Sequence, residues 1–119
     1  MARFLLVLQP PGGQTPAALL DGLQPLLDGL RGEVDHRTPA HVSALLKGAA
    51  EAQRMQLFAD VQAKAEGPVL ELVLLSREAM GTGAPSTRRT FEQLVQLCGQ
   101  HLSHCRLVFR SDRDGALPG

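Results

Sequence analysis

The sequence predicts a small α/β protein: a single domain of two β-α-β-like units bridged by a helical segment, on a mainly parallel or mixed sheet of three or four strands. Three observations predict it. Two apolar runs, residues 4–8 and 69–75, read as strands, the first without alternation and so covered on both faces. Each is followed by a glycine turn carrying proline and hydroxyls. Each turn leads into a leucine-rich helical pattern and then a short strand. Strands alternating with helices favour a sheet with helices packed on it. Right-handed crossovers would set both glycine turns at the carboxyl ends of strands, where open α/β sheets bind ligands. A ferredoxin-like antiparallel sheet is the alternative.

In chain order, F-L-L-V-L at residues 4–8 is the first strand. Q-P-P-G-G-Q ends it, since two prolines forbid both helix and ladder. Thr15-Pro16 reads as an N-cap with proline at the first helical position. The following helix repeats L-L-D-G-L, at residues 19–23 and 26–30. Pro25 between the copies, with Gly22, predicts a kink or a split. Gly32 sits where a C′ glycine ends a helix. E-V-D-H-R at residues 33–37 suits a short edge strand or a loop. Thr38-Pro39 repeats the cap-then-proline signal. Val42, Leu45, Leu46, Ala49, Ala52, Met55, Phe58 and Val61 then fall on a helical stripe. This predicts one long helix over residues 40–66, or two joined near Gly48, stopped by Gly67-Pro68. After the second apolar strand and its turn, Phe91, Leu94, Val95, Cys98 and Leu102 outline another helix, and R-L-V-F-R at residues 106–110 is a final strand. Residues 1–110 make the domain; residues 111–119 read as a flexible tail.

A chain of 119 residues fits one domain and can fold without disulfide or metal. With four Phe and no Trp or Tyr, the core must be Leu, Val and Ala, and the stacking platforms of single-strand nucleic-acid binders are missing. Twelve bases balance twelve acids, so bulk charge points to neither nucleic acid nor anionic membrane. The apolar start is too short for a signal segment or a membrane span. Two thiols, Cys98 and Cys105, in one helix and its exit suit a reducing compartment better than a structural disulfide. A soluble cytoplasmic protein is expected.

Four constellations bear on function. The first is an anion cradle made of Gly81, Thr82, Gly83, Ser86, Thr87, Arg88 and Arg89, joined by Gly12, Gly13 and Thr15. Glycines admit a phosphate to the backbone, and a helix start and guanidinium groups attract it. No Gly-Lys-Ser/Thr follows, and no third glycine completes G-x-G-x-x-G, so the nucleotide motifs are excluded. The plain reading is a turn with an ordinary cap. The second is Cys98, His101 and Cys105, one helix face with His104 beside it and His36 or His41 in reserve, a donor set that suits zinc or copper(I). Cys98 also falls on the apolar stripe, and the spacing matches no zinc finger, so no metal or other cofactor is assigned. The third is catalysis, by Cys98 or Cys105 with His101, or by Asp35 with His36. No oxyanion turn accompanies them, and adjacent Asp and His on a strand point to opposite faces, so no catalytic residue is assigned. The fourth is association: a sheet covered only by Leu, Val and Ala can leave apolar surface, with the tandem leucine repeat and the alanine-rich middle helix as its candidates, and self-pairing would cover it. The expectation is a protein without catalytic chemistry that acts by self-association, as a homodimer, or by binding a protein partner. The alternative is an enzyme or sensor holding a phosphorylated or carboxylated small molecule at residues 81–89, and a third reading is a Cys/His metal sensor.

Overall fold

The computed structural model of the chain describes residues 1–47 and 54–114, without the side chains of Thr82, Arg113 and Asp114. Its elements are β1 (Ala2–Gln9), α1 (Pro16–Asp21), α2 (Gln24–Gly29), β2 (Gly32–Thr38), β3 (His41–Leu46), β4 (Met55–Lys64), β5 (Gly67–Ser76), a 3-10 turn (Met80–Thr82), α3 (Pro85–His101), β6 (Arg106–Arg110) and the one-turn α4 (Ser111–Asp114). The strands make one six-stranded sheet in the order β2-β3-β4-β5-β1-β6. Every neighbouring pair is antiparallel. This overturns the expected mainly parallel or mixed sheet of three or four strands. The ferredoxin-like alternative shares the antiparallel pairing but not the six-strand order. One expected unit survives in altered form. β5 and β6 run in the same direction, joined by α3, but β1 lies between them and pairs with both.

The largest correction is the middle of the chain. Residues 40–66 were expected to be helical; they supply β3 and β4. The helical stripe took its members from two strand faces. In β4, Met55, Leu57 and Ala59 are buried while Gln56, Phe58 and Asp60 are half-buried, a period of two. Pairing on both sides decides the outcome over alanine's helix propensity. Both presumed helix signals turn out to be hairpins. Thr38 pairs with His41 across Pro39-Ala40, and Lys64 pairs with Gly67 across Ala65-Glu66, with Gly67 at φ 118. The expected break at Gly48, with Ala49 and Ala52, falls outside the described residues.

Local signals elsewhere hold. Thr15 Oγ1 accepts from Ala18 N–H at 3.1 Å, and Pro16 opens α1. The leucine repeat is split into α1 and α2, with Pro25 in the first turn of α2. The left-handed residue after α2 is Arg31, at φ 56, rather than Gly32. Gly32 instead starts β2, where a Cβ would come within 3.2 Å of Leu27 and 3.4 Å of Leu46. Glycine is there for close packing. Ser111–Asp114, expected as the start of a tail, form α4, and Ser111 Oγ accepts from Leu5 N–H at 2.9 Å. The rest of that expectation, residues 115–119, lies outside the described residues.

Leu20 of α1, Leu26 and Leu27 of α2, and Phe91, Leu94 and Cys98 of α3 join one cluster with alternate residues of the sheet, Phe4, Leu6 and Leu8 of β1 and Leu70, Leu72 and Leu74 of β5 among them. Phe91 of α3 stacks on Phe4, ring centroids 5.2 Å apart. The opposite face has a small cluster of strand residues only: Leu5, Val7 and Phe109, flanked by Val69 and Val73. The protein is thus a helical layer on one face of a sheet whose other face, the open face, is covered by no helix among the described residues; Leu5, Val7 and Phe109 are buried there, and Val69, Val73 and Leu75 are half-buried. No helix among these is long and apolar enough to cross a membrane.

Candidate functional site

The antiparallel sheet separates the two glycine turns. Ala2 of β1 pairs with Ser76 of β5, and Leu8 with Leu70. The turn after β1, with Gly12, Gly13 and Thr15, therefore sits at the opposite end of the sheet from the turn after β5. Gly81, Gly83, Ser86, Thr87, Arg88 and Arg89 stay together at the start of α3; the side chain of Thr82 is outside the described set.

The β5–α3 turn contains an anion of its own. The backbone cap of α3 is Ala84, left-handed at φ 46, and it gives no side-chain cap. The carboxylate of Glu78 takes that place. It accepts from Ser86 N–H at 3.2 Å, from Thr87 N–H at 2.7 Å and from Thr87 Oγ1 at 2.7 Å. These are the donors a helix start offers to an anion. Ser76 and Thr87 are fully buried, with their hydroxyl oxygens 2.6 Å apart. Thr87 has one proton and donates it to Glu78, so Ser76 donates to Thr87; Glu78 N–H in turn donates to Ser76 Oγ at 3.1 Å. The loop closes into a ring of hydrogen bonds. Desolvation pushes the Glu78 carboxyl up, but bonds from the Thr87 hydroxyl and from the Thr87 and Ser86 backbones outweigh it and leave its pKa below the ordinary value. Arg88 lies over the Phe4 ring, 5.5 Å from its centroid, and Arg89 is exposed. An external anion at this turn competes with Glu78. Glu78 and Ser76 were missed from sequence. The available signal was that Glu78 is the sole carboxylate between Leu75 and Phe91, and acids favour helix starts.

The open face carries a second group of polar residues. His41 Nδ1 lies 2.7 Å from Asp60 Oδ1, and the rings of His36 and Phe58 lie 6.0 Å and 6.2 Å from that of His41. Ser43 Oγ donates to Asp35 Oδ1 at 2.6 Å. The expectation that Asp35 and His36 point to opposite faces fails, because the β2–β3 register shifts between Val34 and His36. The bulge lets Asp35 and His36 both reach the open face. The hydroxyl of Ser43 is directed to a carboxylate and not to an imidazole, so the group is not arranged as a nucleophile with its base.

The thiols have a different setting. Cys98 and Cys105 are free and share the wall of a cavity of about 280 Å³ between the end of α3 and strands β1 and β6. Burial pushes the Cys98 thiol up to about 12, with a smaller push from Cys105, and burial raises Cys105 as well. Protonated thiols are poor ligands and poor nucleophiles. His101 is exposed and does not line the cavity. Among the described residues, no three His, Cys, Asp or Glu side chains gather to hold a metal. At the rim stands Gly99, inside the helix, where glycine costs about 1 kcal/mol relative to alanine. A Cβ there would meet nothing within 4 Å.

Compared with protein families, with curated proteins and with solved structures, the chain matches none.

Proposed function

We propose that the protein works by association, docking a second copy of itself on the open sheet face. One observation carries this reading: Phe58, Val69, Val73 and Leu75 stand half-buried on a face where no described helix joins the cluster. Six strands spaced about 4.8 Å apart, with a mean length of about 25 Å, span roughly 700 Å², of which the part around Leu5, Val7 and Phe109 is already buried within the chain. A standard interface takes about 800 Å² from each partner. The face also complements itself. The row Phe58–Val73–Leu5 is flanked on one side by Leu75 and Arg3 and on the other by Asp60, Glu71 and Val7. A two-fold axis along the central row turns the Arg3 side of each copy onto the Asp60–Glu71 side of the other. The free thiols fit a reducing cytoplasm, which is the compartment we propose.

Sedimentation equilibrium tests the reading. The expected result is a dimer that Val73→Lys converts to a folded monomer with unchanged circular dichroism. A wild-type monomer at every concentration up to about 1 mM, the weakest affinity of interest, overturns it. So does a dimer indifferent to Val73→Lys.

A further inference from the structure

We infer that the cavity beneath the end of α3 is a binding site for a small uncharged apolar molecule bearing a hydrogen-bond donor, such as a medium-chain alcohol. Its walls are Leu6 and Leu8 of β1, Val95 and Leu102 of the α3 segment, and Leu107 of β6, with the two thiols between them. None of the lining residues is charged. An apolar cavity of about 150 Å³ stays dry and takes up benzene. At about 280 Å³ this one has room for a bicyclic ring or a chain of several methylenes. Leu107 remains 38% exposed at the opening, although it lies on the helix-covered side opposite Leu8. The cover over the core is incomplete here.

Two features select the ligand's polar end. The cavity lies against the last turn of α3, whose carbonyl dipoles give a partial negative charge. The thiols stay protonated, so they add no charge of their own. A hydroxyl or neutral amine is accepted at that end, where the hydroxyl-bearing Ser103 also lines the wall, whereas a carboxylate meets like charge and finds no cation among the lining residues. Gly99 marks the way in. It weakens its helix, and no neighbouring atom requires its lack of a side chain. The space a side chain would fill is the rim of the cavity.

The chain has no Trp or Tyr, so a neutral fluorescent probe, N-phenylnaphthylamine, reads the site without background. Saturable binding of one probe per chain is expected, displaced by octanol and at least about tenfold less well by octanoate, a 1.4 kcal/mol difference. Gly99→Leu fills the rim and favours the helix. It should weaken probe binding at least about tenfold while leaving the melting temperature equal or higher. Val73→Lys, on the open face, should bind the probe as wild type does, which separates this site from the association surface. Absence of saturable binding, unchanged affinity in Gly99→Leu, or loss in Val73→Lys overturns the assignment. Octanoate binding as tightly as octanol overturns the choice of ligand class.

Discussion

The two faces of the sheet use the same strands and solve opposite problems. On the covered face Leu70, Leu72 and Leu74 are buried beneath helices, and the polar groups that enter, Ser76 and Thr87, close on one another and on Glu78. On the open face the alternate residues of the same strand, Val69, Glu71, Val73 and Leu75, remain half-buried, and the polar groups form separate pairs, His41 with Asp60 and Ser43 with Asp35. A face that must exclude water tolerates polar atoms only in satisfied networks. The face proposed to take a partner keeps both apolar area and charge. Stability resides on the first, and recognition is proposed for the second.

The sharpest test of that division compares neighbours in one strand. Leu72→Ala removes a side chain with no exposure and should lower unfolding free energy by about 3–5 kcal/mol in urea titration. Val73→Ala, one residue on, should cost under about 1 kcal/mol in dilute protein. Equal costs would mean that both faces carry the fold. A smaller effect is expected from Thr87→Val, which keeps the shape and breaks the hydrogen-bond ring. Ser76, 1% exposed, loses its acceptor, for about 1–3 kcal/mol by the same titration. The smallest effect concerns pH. The Glu78 carboxyl titrates below its ordinary value of 4.5 in the folded protein. Its contribution is therefore fully present above that ordinary value and is lost as pH falls through the depressed folded value. Thermal melts taken from neutral to acidic pH should fall more steeply in wild type than in Glu78→Gln. Parallel curves would show that the ionised carboxylate does not hold the start of α3.

What could be read from the sequence was local. Thr15 and Pro16 announce α1, Pro25 splits it from α2, and residues 106–110 form β6 as written, because caps, prolines and short apolar runs act within a few residues. The hairpins at Pro39-Ala40 and Ala65-Glu66 were disguised, since Thr-Pro and Gly-Pro pairs also bound helices. The alternation in residues 55–60 was present but overlaid by a rival helical stripe rich in alanine. Sheet order was out of reach, since it depends on which distant strands meet. The site followed the same rule. The turn at residues 81–89 was legible as a strand-to-helix connection, but not the reach of Glu78 forward onto Ser86 and Thr87, because a carboxylate seven residues before the first residue of a helix has no fixed local pattern.

The place of β1 has a consequence for how the chain assembles. β2, β3, β4 and β5 are joined in sequence and can zip up one hairpin after another. The first strand made has no partner until residues 67–76 exist, and its other side stays unpaired until residues 106–110 follow. Its apolar run Phe4–Leu8 is thus without strand partners until those segments are made, the state in which an unpaired strand edge favours aggregation. Closure of the sheet around it needs contacts between distant parts of the chain, the kind that slow folding.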